Sequence, residues 1–154
     1  PWPWADTHPV AKLVFPGKRS EALVVLEGSS SRNLAFAPAH DPASVAPGEI
    51  GNSVISGHRD THFRFLRHVE RGDAILVETA NGAVYRFVVT DVRVVDSRRT
   101  RIALDSDSPR LTLVTCYPFD AIDPGGPLRF VVTADWIAGA GSVPPPNAAQ
   151  AAAT

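Results

Sequence analysis

The sequence predicts a mostly β, single-domain antiparallel barrel with short helices and long loops, and three observations carry that expectation. Short apolar runs recur along the 154 residues, each bounded by Gly, Pro, Asn or Asp, and runs of that length read as strands in preference to helices. The dipeptide Asn81-Gly82 separates two such runs and supplies the positive-φ residues that a tight hairpin turn requires. A hydrophobic content of 44% is enough to fill one core in a chain of this length.

Taken in order, residues 11–15 and 22–26 are brief apolar runs closed by Pro16-Gly17 and Gly28-Ser29, which makes both of them strands. Pro38, Pro42 and Pro47-Gly48 then punctuate a surface loop with little regular structure. Residues 54–57 read as a strand, 63–68 as a short helix and 74–79 as a strand. Residues 75–79 and 84–89 should pair antiparallel across Asn81-Gly82, and 88–95 continues as one long strand. The polar stretch 98–109 is a loop, and the runs 111–115 and 128–136 complete the set. Many short strands with turn signals between them point to a barrel or sandwich. From 138 to 154 the chain is Ala/Gly/Pro-rich with no large apolar residue beyond Val143, so it is expected to be a flexible tail, with 1–137 as the folded domain.

A net charge of −1 and a charged content of 20% argue against a nucleic-acid surface. No continuous apolar stretch is long enough to span a bilayer, and no signal peptide is visible. The sequence opens Pro1-Trp2-Pro3-Trp4 and contains no Met, so the natural N-terminus is expected upstream, together with any anchor or export signal.

The chemistry centres on the single cysteine, Cys116, which ends the run Leu111-Thr112-Leu113-Val114-Thr115. A lone thiol forms no intramolecular disulfide, and Tyr117-Pro118 breaks the strand directly after it, so the side chain sits at a strand end where it can face a cleft. A thiol of ordinary pKa, about 8.5, is only slightly ionised at neutral pH, so a nucleophilic cysteine needs a neighbouring base or cation. His58, in Ser56-Gly57-His58-Arg59-Asp60, is the candidate acid and base. Arg129, in Pro127-Leu128-Arg129-Phe130-Val131, cannot act as a base but can direct planar donors at a carbonyl or an oxyanion. Backbone amides near Cys116, that of Tyr117 or those of the loop before the strand, are candidates to complete an oxyanion hole.

Thr115 is a candidate substrate-binding residue, with an ordinary β-branched strand position as the alternative. Asp60 is a candidate for orienting His58, with pairing to Arg59 as the alternative. His62 stands four residues after His58, but Arg59 occupies the place where a zinc hydrolase helix carries glutamate. Asp105 and Asp107 lack the glycine-centred loop and terminal glutamate of a calcium site. No metal and no cofactor is expected, and His8, His40 and His68 are expected at the surface.

The block Gly51-Asn52-Ser53-Val54-Ile55-Ser56-Gly57-His58-Arg59-Asp60, the block Thr112-Leu113-Val114-Thr115-Cys116 and the strand arginine Arg129 resemble the three signature segments of the sortases, cysteine transpeptidases of the bacterial cell surface. The likeness runs from about residue 12 to 137. Cys116-Tyr117-Pro118-Phe119-Asp120 with Pro124-Gly125-Gly126-Pro127 most resembles the group found in Gram-negative proteobacteria. The resemblance implies an eight-stranded barrel with His58, Cys116 and Arg129 as its catalytic trio. It implies cleavage of a C-terminal sorting signal of the Leu-Pro-x-Thr-Gly type between Thr and Gly, through a thioacyl-enzyme, with transfer of the acyl group to an amine. The implied partners are a substrate protein bearing that signal and an amine acceptor. The implied location is the cell envelope, with a membrane anchor in the preceding segment and the catalytic domain in the periplasm.

Two other classes use the same residues differently. A cysteine peptidase or hydrolase would pass the acyl group to water, although the papain-type and caspase-type segments are absent. A non-catalytic β-barrel binding module would leave Cys116 buried and inert.

Overall fold

The computed structural model describes residues 8–17, 21–28, 37–59, 62–119 and 126–138. Among them are eight strands: β1 (Pro9–Phe15), β2 (Glu21–Glu27), β3 (Ala39–His40), β4 (Gly51–Ser56), β5 (Ala74–Thr79), β6 (Val84–Asp96), β7 (Pro109–Cys116) and β8 (Leu128–Trp136). They close into a barrel in the order β1-β2-β3-β4-β7-β8-β6-β5, and closure removes the open sheet edges that would template aggregation. One 3₁₀ helix, Arg64–His68, follows β4 and buries Phe65 and Leu66. The expected tail lies, from residue 139 onward, outside the described residues, as does Asp60.

The local hairpin forms with Glu78 opposite Val84. Gly82 takes φ 87° and donates its N–H to the Thr79 carbonyl at 3.0 Å, while Thr79 N–H donates to the Ala83 carbonyl at 2.8 Å. The connection is therefore a turn ending in a left-handed glycine, a conformation that a Cβ would strain. β6 pairs with β5 along its first half and with β8 along its second, and the register shifts between Val89 and Asp91. A bulge there bends the strand from one partner to the other.

Six of the eight ladders are antiparallel; β2–β3 and β4–β7 are parallel. Parallel pairing needs a crossover connection, which for β4 and β7 is the whole β5–β6 hairpin. The strand β3 departs from the loop expected between Pro38 and Gly51: two residues flanked by prolines carry no readable period, yet Ala39 and His40 pair with both β2 and β4. His40 is consequently buried, not at the surface as its proline-rich flanks suggested. Its Nδ1 lies 2.7 Å from a Glu27 carboxylate oxygen and its Nε2 2.7 Å from the Val45 carbonyl. His8 and His68 are exposed.

Leu13, Val25, Ile55, Phe63, Ile75, Val77, Phe87, Leu111, Leu113 and Val132 fill the barrel, each fully buried side chain worth roughly 1.5–3 kcal/mol against exposure. Along β7 the core side is taken by Leu111, Leu113 and Thr115, and the outer side by Arg110, Thr112, Val114 and Cys116, as strand alternation requires. The outer side is not simply solvated. Val54, Thr112 and Val131 belong to it and are buried, because the 97–108 segment between β6 and β7 lies across that face. A covered channel results on the outside of β4, β7 and β8.

Candidate active site

The register of three strands assembles the site. Cys116, last in β7, pairs directly with Arg129 of β8. The Tyr117 N–H donates to the Leu128 carbonyl at 3.1 Å, which makes that next pair the hydrogen-bonded one. Cys116 and Arg129 are then a non-hydrogen-bonded pair, the kind in which opposed side chains come closest and share a face. On the other side β4 runs parallel to β7, with Ser56 opposite Val114. The contact continues through Gly57 N–H, which donates to the Val114 carbonyl at 3.1 Å. Carrying the register on by two residues sets His58 level with Cys116. Cys116 of β7, Arg129 of β8 and His58, two residues past the end of β4, thus form a row at one end of three neighbouring strands, which lie about 4.8 Å apart.

Local sequence explains how each residue is held. Gly57 is buried, and a Cβ there would meet the Phe63 ring at 2.7 Å, so the residue before His58 has to be glycine for the ring to pack beneath the turn. Phe63 N–H closes the turn on the His58 carbonyl at 3.0 Å, leaving the His58 side chain exposed. Beyond Cys116, Tyr117 stacks on Phe130 with centroids 6.1 Å apart, and Phe119 meets Phe130 edge-on at 5.1 Å. These aromatic contacts fix the path of the chain leaving the cysteine. Cys116 itself is partly exposed, unlike the inert buried thiol of a binding module.

Arg129 uses one terminal nitrogen, Nη1, to donate to the Gly126 carbonyl at 2.6 Å and the Leu128 carbonyl at 2.9 Å. Those two bonds set the plane of the guanidinium. Its remaining N–H groups have no partner among the described residues.

Two expectations change. Thr115 is buried on the core face opposite Phe130, the reverse side of the strand from Cys116, and its hydroxyl finds no partner among the described residues. This geometry gives Thr115 no direct reach to a substrate in the channel. The Tyr117 amide is already committed to Leu128 and is not a spare oxyanion donor. Asp60, proposed from the sequence to orient His58, falls outside the described residues.

His62, read from the sequence only as an unfulfilled metal spacing, lies close enough to His58 to feel its charge. Burial first and His58 second hold the His62 imidazole below its usual value.

The channel running away from the row contains two adjoining cavities. One of about 350 Å³ has Val54, Val114, Arg129 and Val131 on its floor, Thr100, Arg101, Ile102 and Leu104 along one wall and Asp41 on another. The second, of about 300 Å³, continues past Asn52, Thr112 and Thr133 and shares Arg101, Ile102 and Val131 with the first. Thr112 and Val114 of β7 lie on the floor, and from Thr112 to Cys116 the strand rises by four residues, about 13 Å, the length of four extended residues of a bound peptide. Neither Asp41 nor the lining 97–104 stretch was singled out in the sequence, where nothing but polar composition marks them.

A sortase domain profile matches residues 16–137. Sortase D from Bacillus subtilis (strain 168) is 32% identical over 128 residues, covering 82% of this chain and 64% of that protein. Among solved structures, sortase A from Corynebacterium diphtheriae superposes with a TM-score of 0.75 at 23% identity, over 86% of this chain and 62% of that one. The Clostridium perfringens sortase D5 transpeptidase superposes with a TM-score of 0.72 at 27% identity, over 84% of this chain and 79% of that one. The chain thus spans a little under two thirds of the Bacillus relative and of the Corynebacterium structure.

Proposed function

This chain belongs to the sortase family, and on that premise we propose that it is a cysteine transpeptidase in which Cys116 is the nucleophile, His58 the acid and base, and Arg129 the oxyanion and carbonyl donor. The observation that carries the reading is the row itself: an exposed imidazole, a partly exposed thiol and a guanidinium with unused donors at one end of three neighbouring strands, with Arg129 of the row also lining the adjoining channel. The solved Clostridium perfringens relative is named a transpeptidase, which supports the same reaction class.

In the first half-reaction His58 takes the Sγ proton and the sulfur attacks the carbonyl carbon of the residue before the scissile bond, threonine in a Leu-Pro-x-Thr-Gly signal. The carbonyl oxygen gains the electron pair and is held by the free N–H groups of Arg129. The C–N bond then breaks, His58 gives its proton to the departing amine, and a thioester to Cys116 remains. An incoming amine loses its proton to neutral His58 and attacks the thioester, and sulfur leaves as thiolate. One imidazole serves both halves because its charge state alternates between them.

The substrate is a protein with a C-terminal sorting signal and the acceptor is an amine at the cell envelope, the enzyme being tethered to the inner membrane with this domain in the periplasm. Placement in the proteobacterial group rests on the segment after Cys116 and on Pro124-Gly125-Gly126-Pro127. The test is product analysis of a sorting-signal peptide library incubated with and without candidate amines. Amide products that incorporate the amine support transfer. Free acid alone, at every amine concentration, assigns a hydrolase instead.

A further inference from the structure

The 97–108 segment forms the wall of the channel without regular structure of its own, so something outside it must hold it in place. Its near end is tied down: Arg99 and Thr100 N–H groups donate to the Asp96 carbonyl at 2.9 and 3.0 Å, and Ser97 N–H donates to the Pro127 carbonyl at 2.8 Å. The far half, 101–108, is held differently. Among the described residues its hydrogen bonds come from Asn52 alone, whose backbone N–H donates to the Leu104 carbonyl at 2.9 Å and whose Nδ2 donates to the Ala103 carbonyl at 2.7 Å. The Asn52 Oδ1 accepts from the Thr112 hydroxyl at 2.7 Å. Both side chains are buried, at 4% and 2% exposure. The Ala103 carbonyl can only accept, so the amide orientation is fixed: nitrogen to the loop, oxygen to Thr112.

We propose that Asn52 and Thr112 form a clasp that positions the channel wall, setting how tightly the enzyme holds the part of the sorting signal farthest from Cys116. The inference rests on the transpeptidase reading, which it deepens. Thr112 orients the amide of Asn52, Asn52 holds Ala103 and Leu104, and those residues keep Arg101, Ile102 and Leu104 over the strand floor. The clasp lies about 13 Å along β7 from Cys116, out of reach of the reacting atoms. Both members are positioning residues. Their loss acts on binding and leaves the bond-making steps intact.

The isosteric change Asn52→Asp tests this most sharply, because it replaces the donor facing the Ala103 carbonyl with a second acceptor at constant volume. Leaving that buried pair unsatisfied should raise KM for a sorting-signal peptide about tenfold, with kcat within about twofold and the pH–rate profile unchanged. Thr112→Val should raise KM in the same direction, whereas Thr112→Ser, which keeps the hydroxyl, should restore it. Two further readouts guard against simple unfolding. Alkylation of Cys116 by iodoacetamide, a probe too small to need the channel, should proceed at the unsubstituted rate in every variant. Amide hydrogen exchange should quicken in 101–108 and stay constant in β7 and β8. The proposal is overturned if Asn52→Asp leaves KM unchanged, if kcat falls with KM constant, or if Thr112→Val and Thr112→Ser behave alike. If the unsubstituted protein cleaves no sorting-signal peptide, the transpeptidase reading fails by itself, and exchange still decides the clasp: unaltered exchange of 101–108 in Asn52→Asp overturns it.

Discussion

Replacing Arg129 with lysine separates directed hydrogen bonding from plain positive charge. Arg129, the strand partner of Cys116, spends two of its five N–H donors on the Gly126 and Leu128 carbonyls, and the remaining three stay in one rigid plane. Lysine has three donors on a flexible stem. If its ammonium satisfies the two carbonyls, a single donor remains with no fixed direction. The loss is then that of one aligned oxyanion donor, about 3 kcal/mol or on the order of 100-fold in kcat. Both carbonyls lie near the surface, so their imperfect replacement should cost under about 1 kcal/mol of stability, a Tm shift of about 2–4 °C for a chain of this size. Steady-state cleavage of a sorting-signal peptide, with thermal melts on the same preparations, measures both quantities. A kcat/KM of Arg129→Lys within about threefold of the unsubstituted protein, with Arg129→Ala strongly impaired, would refute the directed-donor argument and leave charge as the role of Arg129.

Three other outcomes follow from the same geometry. His58→Ala should lose at least about 100-fold in kcat/KM, while His62→Ala stays within a few-fold; peptide kinetics on both variants reverse the assignment of the acid and base if the losses are exchanged. Gly57→Ala should lower Tm by about 2–12 °C, since a Cβ 2.7 Å from the Phe63 ring overpacks the turn by about 1–3 kcal/mol, and a melt equal to that of the parent would show that the ring can move aside. His62 is held below the ordinary imidazole value of 6.5 in the fold, so its neutral form is the one the native state favours. As pH falls through 6.5 the unfolded chain binds that proton more readily than the native one, and stability declines. Asp91 and Asp96, kept low mainly by hydrogen bonds from Arg93 and Arg98, add losses of the same sign at still lower pH. Melts of His62→Gln should therefore show a weaker fall in Tm between pH 7 and 5 than the parent, and identical slopes would remove His62 from the account.

The strands whose ends are marked by turn residues could be read directly. β5 and β8 have the boundaries that Gly, Pro and polar neighbours suggest, and Cys116 does close its strand. β3 could not be read, because two residues between prolines contain no period and acquire strand geometry only from β2 and β4. The parallel pairing of β4 with β7 was equally hidden, since it joins Gly51 to Pro109 across a hairpin and no local pattern carries a partner that distant. That pairing is what levels His58 with Cys116. The sequence thus named the three residues by type and motif but did not supply their geometry. Thr115 shows the opposite lesson. Leu111, Leu113 and Thr115 share one face by simple alternation and Cys116 takes the other, so its burial was legible in the very run that drew attention to it. Asn52 and Thr112 stood inside the quoted motifs, but their partnership depends on the same long-range register.

The central claim is that Cys116 forms a covalent acyl bond which an amine then resolves. Mass spectrometry of the intact protein, mixed with a sorting-signal peptide in the absence of amine and quenched in acid, tests it most directly. A mass increase equal to the acyl portion of the peptide is expected, mapped to Cys116 after digestion, released by added amine and absent in both Cys116→Ala and His58→Ala. Turnover of the peptide by Cys116→Ala, or an adduct on any other residue, would contradict it.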